Sequence, residues 1–343
     1  MRKSSRIVAV VAIAAFSASS AGATPVDTRD GAVSGANRLV SLQNADGSFP
    51  WDVTDPTAYQ NVQGVTAIGV LDAYLLTRDA AYLTSATKNR DWLLAYRNSG
   101  TSPPQLLSAP NATFLARYAA IAHSPSDLQV ARDVLSQQIN TRFGSAQNLV
   151  TTIVDVRKNS HGLGNMGLWD VALYVTAAQS AGMTDEASAI AAALDAQTIA
   201  DPFDGTANYY ELGLTGLITG LATADAEAHA TKISQATAAL LAAQQADGSI
   251  PTTYGGVLYP GDAQATAYGV LSLIQVGERD AAQAGASFLL AAQRDDGGFE
   301  PYPDDPTEYA EIDAEAVDAL TAATLVTHEG RSLLDVIFGL LPI

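Results

Sequence analysis

Asp313 and Glu315 set two carboxylates at the head of an apolar helical run. Paired carboxylates are the usual equipment of general acid–base chemistry. NYYELG, 208–213, offers a second set: Tyr209 and Tyr210 can stack on sugar faces while Glu211 acts as acid or base. The stretch 141–163 reads as the longest link between helices and carries Arg157 and His161 toward Trp169 and Asp170. Long loops over a scaffold often line binding sites, although a solvated loop explains the same string. The catalytic candidates are therefore Asp313, Glu315, Glu211 and Asp170. The substrate-binding candidates are Tyr59, Gln63, Arg157, His161, Trp169, Tyr209, Tyr210 and Asp262. Asp262 and Asp313 stand at helix starts, where acidic side chains cap free N–H groups, and capping is favoured over catalysis for both.

Other motifs are absent or accidental. There is no His-Glu-x-x-His, no P-loop and no Gly-x-Ser-x-Gly. HGLGNMG, 161–167, contains a Gly-x-Gly-x-x-Gly, but RKNSH separates it from the β-branched run NLVTTIVDV and the surroundings read as helical. Four histidines and no cysteine leave little for a metal centre, so neither metal nor cofactor is expected. The acidic run YPDDPTEYAEID, 302–313, lacks EF-hand spacing and reads as a solvated loop rather than a Ca²⁺ site.

The positioning elements follow from a repeat. LVSLQNADGSF, LLAAQQADGSI and LLAAQRDDGGF end helices at Gln43, Gln244 and Gln293. The last two glutamines are 49 residues apart and the first two 201, close to four such periods. Weaker counterparts near Tyr96, Gln138 and Gln197 give six units of about fifty residues. In each unit one helix is half polar; the other, as in LGLTGLITGLA, is apolar on most sides. The spacing predicts outer helices over 29–43, 79–97, 126–139, 184–197, 225–244 and 279–293. Inner helices are predicted over 60–77, 111–123, 165–181, 209–223, 262–276 and 311–325. The fold class is all-α, an (α/α)6 toroid, with a linear solenoid as the alternative. The glycine after each glutamine stops the helix, and the glutamine can satisfy free backbone groups there. The apolar tail 331–343 is expected to seal the seam between the last unit and the first.

In GASFLLAAQRDDGGFEP, Gly285, Phe288, Leu289, Leu290, Gln293, Gly297 and Phe299 follow a QW-like, squalene-cyclase-type pattern, with Phe for Trp. The chain thus resembles the terpenoid cyclase and protein prenyltransferase superfamily of α/α toroids. That resemblance implies the ring fold and, at Asp313, the central acid of an Asp-x-Asp-Asp run whose neighbours differ here. Prenyl transfer is excluded because its zinc site requires cysteine. The fold also hosts polysaccharide lyases and non-enzymes, so it does not fix the activity.

Residues 1–23 read as a signal peptide: a basic start, an apolar core too short to span a bilayer and a small-residue cleavage pattern. Residues 24–343 form one domain, secreted or periplasmic, with no stable membrane span after cleavage, and a monomer is expected. Cleavage takes the net charge from −18 to −21, which repels nucleic acid and anionic lipid. The expected partner is a small molecule or an oligosaccharide in the central cavity. Carbohydrate lyase or hydrolase chemistry is slightly favoured over an apolar terpenoid-cyclase-like cavity and over a non-catalytic scaffold.

Overall fold

The computed structural model describes residues 27–99, 105–159, 164–198 and 208–328. Six helices form an inner ring: α2 (Gln60–Thr77), α4 (Ala109–Ala122), α7 (Met166–Ser180), α9 (Tyr210–Asp225), α11 (Ala263–Val276) and α13 (Ala310–His328). Each packs on the next, and α13 packs on α2, so the ring closes. The outer layer is α1 (Thr28–Leu42), α3 (Ala80–Arg97), α5 (Pro125–Ser136), α8 (Thr184–Asp195), α10 (Ala230–Ala243) and α12 (Arg279–Ala291). The structure is thus the (α/α)6 toroid that the repeats predict.

The two layers differ as their sequences do. In α9 every residue from Glu211 to Ile218 is buried. In α10 only Ile233, Ala236, Thr237 and Leu240 are, the single stripe of a helix with one face on a core. Inner-to-outer connections are tight: α2, α4 and α11 end at Arg78, His123 and Gly277 in the left-handed conformation. Outer-to-inner connections are long and gather on the opposite face. There they bond to one another: Ala310 N to Trp51 O, Asn165 N to Asn208 O, Tyr209 N to Thr253 O and Ala263 N to Pro301 O.

The repeated Gln–Asp–Gly segment makes this arrangement. Gln43 Nε2 donates to the carbonyl of its own turn, Gly47, and to Ser85 O on α3, the next outer helix. Gln244 bonds Gly248 O and Ala281 O on α12. Gln293 bonds Gly297 O and Gly31 O on α1. Each turn glycine has φ above 90° or at it: +92° at Gly47, +90° at Gly248 and +95° at Gly297. Each also presses on that next helix, where an added Cβ would lie 2.2–2.5 Å from a backbone oxygen. The following Phe49, Ile250 and Phe299 are buried, and their N–H groups are taken by Gln63, Thr266 and Asp313 of the inner helix.

The ring is sealed by α1, which packs chiefly on α13. Thr28 and Thr324 share a hydrogen bond of 2.7 Å, and Arg38 makes a two-pronged contact with Glu308 at 2.7 and 3.0 Å. The tail 331–343, expected in this role, lies outside the described residues.

Two connections depart from expectation. The stretch 141–163, expected as a loop, contains α6 (Ala146–Asn159), preceded by a π-helical turn at Gln137–Arg142 that prolongs α5. Leu149 and Val150 bury one face of α6 on its neighbours, and this packing overrides the low helix propensity of NLVTTIVDV. The link from α10 to α11 is a hairpin, β1 (Ile250–Tyr254) with β2 (Val257–Asp262), around Gly255 and Gly256, both at positive φ.

Gly297→Ala should lower stability by about 1–3 kcal/mol through left-handed strain, with the contact to Ser34 O adding to it. Gly256→Ala, with open space around its Cβ, should cost less. Urea denaturation midpoints compare the two; equal losses would refute the helix-contact role of the turn.

Candidate active site

The inner ring encloses a cavity of about 480 Å³ that opens on the face of the long connections. Its wall includes Glu311 and Glu315 of α13, Gln264 and Tyr268 of α11, Trp169, Asp170 and Tyr174 of α7, and Arg157 of α6. A second chamber of about 100 Å³ lies deeper and shares Val65, Pro110, Trp169, Leu173, Tyr268 and Glu315 with the first. Trp169 and Tyr268 touch ring to ring, so two aromatic side chains separate the chambers. Close backbone packing fixes the positions of Trp169 and Glu315. A Cβ on Gly216 would lie 2.6 Å from Trp169 Cα, and one on Gly69 would lie 2.7 Å from Ala314 O beside Glu315.

Helix α13 supplies an acidic stripe. Glu311, Glu315 and Asp318 recur at i, i+4 and i+7, one face of a helix, and span about 10 Å from the upper chamber to the lower. Helix α7 lies three places round the ring, so Asp170 faces this stripe across the cavity.

The charges are unevenly poised. Burial pushes the Glu311 carboxyl up to about 7, against a hydrogen bond from the Trp51 side chain. Glu315 is raised well above the usual carboxylate range by burial and by the charge of Glu311, although Tyr268 Oη and Gln264 Nε2 donate to it. Asp170 is also raised by burial, while Arg157, whose Nε lies 2.5 Å away, acts in the opposite direction. Tyr174 is pushed up to about 12 by burial, and Tyr268 well above its ordinary value for the same reason. At the bottom, Asp72 is raised by burial against the pull of its ion pair with Arg117; Asp318 raises it further.

Of the sequence candidates, Glu315, Asp170, Arg157 and Trp169 meet in the cavity. The others are placed elsewhere. Asp313 is buried away from the cavity and accepts the Phe299 N–H at 2.7 Å, so it is a hinge anchor and not an acid facing substrate. Gln63 holds both the N–H and the C=O of Phe49 at 2.8 Å. Glu211 fastens β1 to α9 through Thr253 N and Oγ1, at 3.0 and 2.8 Å. Asp262 caps α11 through Ala265 N at 2.9 Å, as favoured from sequence. Tyr209 occupies the α9 N-cap with φ +56° and packs on Tyr254; Tyr210, half-buried, packs on the core. Tyr59 is exposed on the rim, and His161 lies outside the described residues. Sequence reasoning missed Glu311, Gln264, Tyr268 and Asp318 as a set. The available signal was the i, i+4, i+7 acid spacing on an otherwise apolar helix.

Among the described residues no group of three or more His, Asp or Glu could hold a metal, and no helix is long and apolar enough to cross a membrane. A cleft of about 590 Å³ on the opposite face has no carboxylate in its wall.

Fold and site together define an α/α toroid with a carboxylate-bearing central cavity open at one end. No family profile matches the chain, and no curated protein is similar to it in sequence. Solved structures are similar in fold. A variant of the α-1,6-mannanase GH76A of Salegentibacter sp. HEL1_6, inactivated at two adjacent aspartates and in complex with α-1,6-mannotetrose, superposes with a TM-score of 0.61 at 12% identity. It covers 88% of this chain and 100% of the mannanase. The unsaturated glucuronyl hydrolase of Bacillus sp. GL1 gives 0.59 at 16% identity, over 88% of this chain and 97% of that enzyme. A polysaccharide lyase gives 0.55 at 11%, over 88% and 99%. These structures correct the resemblance to terpenoid cyclases and prenyltransferases. The Gln–Gly segment that suggested it is a fastening between outer helices, and the cavity it supports is lined by carboxylates. This chain's own adjacent aspartates, Asp295–Asp296 and Asp304–Asp305, do not line the cavity.

A carboxylate raised by burial binds its proton more tightly in the folded state than in the unfolded one. The folded state is therefore favoured at low pH, and stability falls as pH rises from the ordinary carboxylate range through about 7. Glu311→Gln should flatten this decline in urea titrations between pH 5 and about 8. An unchanged slope would show that Glu311 does not titrate there.

Proposed function

We propose that this protein is an exported carbohydrate-active enzyme that hydrolyses a glycosidic bond in its central cavity. The observation that carries the proposal is that Glu311, poised near neutrality, and Asp170 line one cavity from opposite sides of the ring, walled by Trp169 and Tyr268. Glu311 donates its proton to the glycosidic oxygen as the C–O bond breaks, and the bonding pair leaves with that oxygen. Asp170, kept toward its anionic form by Arg157, takes a proton from the water that attacks the anomeric carbon. Trp169 and Tyr268 supply apolar faces for sugar rings. Hydrolysis is favoured over lyase chemistry because Tyr174 and Tyr268 are held protonated and make poor bases. The structural neighbours that act on or bind sugars support this reading, as does the signal-peptide pattern of residues 1–23.

The test is turnover of a panel of soluble polysaccharides, with products weighed by mass spectrometry. Products carrying one added water are expected, and activity should fall as pH rises through about 7. Glu311→Gln and Asp170→Asn should each reduce kcat by about a hundredfold or more, while Asp313→Asn keeps both fold and kcat. Full activity of Glu311→Gln would overturn the assignment. Binding without turnover would make the protein a carbohydrate-binding toroid.

A further inference from the structure

Trp51 lies outside the cavity lining yet is tied to it. Its carbonyl accepts the Ala310 N–H at 3.0 Å, and the adjoining Asp52 bridges to Tyr309, so the indole is mounted at the start of α13. Tyr309 backs the indole with ring centroids 5.2 Å apart and planes tilted by 31°, and Tyr59 meets it edge-on at 6.3 Å. The connection that carries it is stiffened by Asp52 and Asp55, which accept N–H and O–H bonds from Thr54 and Thr57, and by Asn44 Nδ2 donating to Pro56 O. Trp51 and Tyr59 are nevertheless 44% and 47% exposed. Glu311, the residue after Ala310, lines the cavity, and the Trp51 side chain works against the upward shift that burial gives its carboxyl. A rigid, half-exposed indole with one face backed, mounted one residue from a carboxyl that lines the cavity, does not serve the core.

We infer that Trp51, flanked by Tyr59, is an outer sugar-stacking subsite that receives the saccharide unit next to the cleaved bond and holds Glu311 toward it. The inference rests on the carbohydrate reading of the cavity. Aromatic faces match the C–H face of a pyranose, and the neighbouring carboxyl meets its hydroxyls. A protein partner is a poor fit, because two rings offer about 150–250 Å² each against about 800 Å² per side in a stable interface. The site therefore selects an oligosaccharide long enough to extend from the cavity onto the rim.

The test compares wild type, Trp51→Ala, Trp51→Phe and Tyr59→Ala. Soluble mannan, xylan and polygalacturonate in affinity gels identify the polysaccharide that retards the wild type, and its dimer to hexamer series then serves for kinetics. Trp51→Ala should raise KM for the hexamer by about tenfold and for the dimer far less. Trp51→Phe should keep KM within about threefold, since a ring remains. It also loses the N–H that lowers the Glu311 pKa, so the fall in activity at high pH should move to higher pH. Tyr59→Ala should follow Trp51→Ala in weaker form. Equal KM for wild type and Trp51→Ala on the hexamer would overturn the subsite. So would a Trp51→Phe variant as impaired as Trp51→Ala with an unmoved pH profile, which would leave Trp51 a purely structural part. If wild type itself neither binds nor cleaves any of the polysaccharides, the carbohydrate reading fails and this inference falls with it.

Discussion

One side chain amide joins two outer helices at each repeated turn, and the ring depends on it. Gln43, Gln244 and Gln293 each bond their own turn glycine and a carbonyl one outer helix further on. A lone helical hairpin cannot bury its apolar face, so a ring of such pairs must fix the angle between neighbours. Here a left-handed glycine against the next helix and a glutamine between two carbonyls fix it with backbone-level precision. The third such joint closes the circle, because its far partner, Gly31, belongs to the first helix. No polar end cap is then needed.

The central cavity follows from that geometry. The joints leave the outer-to-inner connections long and on one face, where they bond to each other and frame a mouth. The inner helices begin there, so side chains in their first turns face the opening. Glycines at 69 and 216 let backbones approach closely enough to set Glu315 and Trp169 on the wall. Burial of the α13 acids then does what a water-exposed loop could not: it raises their pKa values, that of Glu311 to about 7. A strongly acidic surface coexists with this because the surface charges are solvated and the cavity charges are not.

Much of the fold was legible in the sequence. The Gln–Asp–Gly period and the contrast between half-polar and apolar helices predict both layers and the ring closure. The site was legible only in part. Glu315, Asp170, Arg157 and Trp169 do line the cavity, but Asp313, Gln63, Glu211 and Asp262 have polar side chains used to hold backbone groups, and sequence alone does not show which way a helical residue faces. Set against an Asp-x-Asp-Asp pattern, the stretch 311–315 draws attention to Asp313; helical spacing instead selects Glu311, Glu315 and Asp318. The cyclase-like resemblance misled for the same reason, since its matching residues are the joints of a ring rather than its chemistry. The π-turn and α6 were hidden by β-branched residues whose helicity comes from packing, whereas Tyr254-Gly255-Gly256-Val257 carried a readable hairpin signal.

The central claim is that ligand enters at the mouth framed by the long connections and meets α7 and α13. Hydrogen–deuterium exchange of the protein, with and without the polysaccharide it binds best, tests this most directly. Protection should concentrate in peptides covering residues 51–61, 146–175 and 306–318. The tight turns at Arg78, His123 and Gly277 should be unaffected. Protection centred on those turns, or on the opposite-face cleft around His123 and Arg132, would contradict the account.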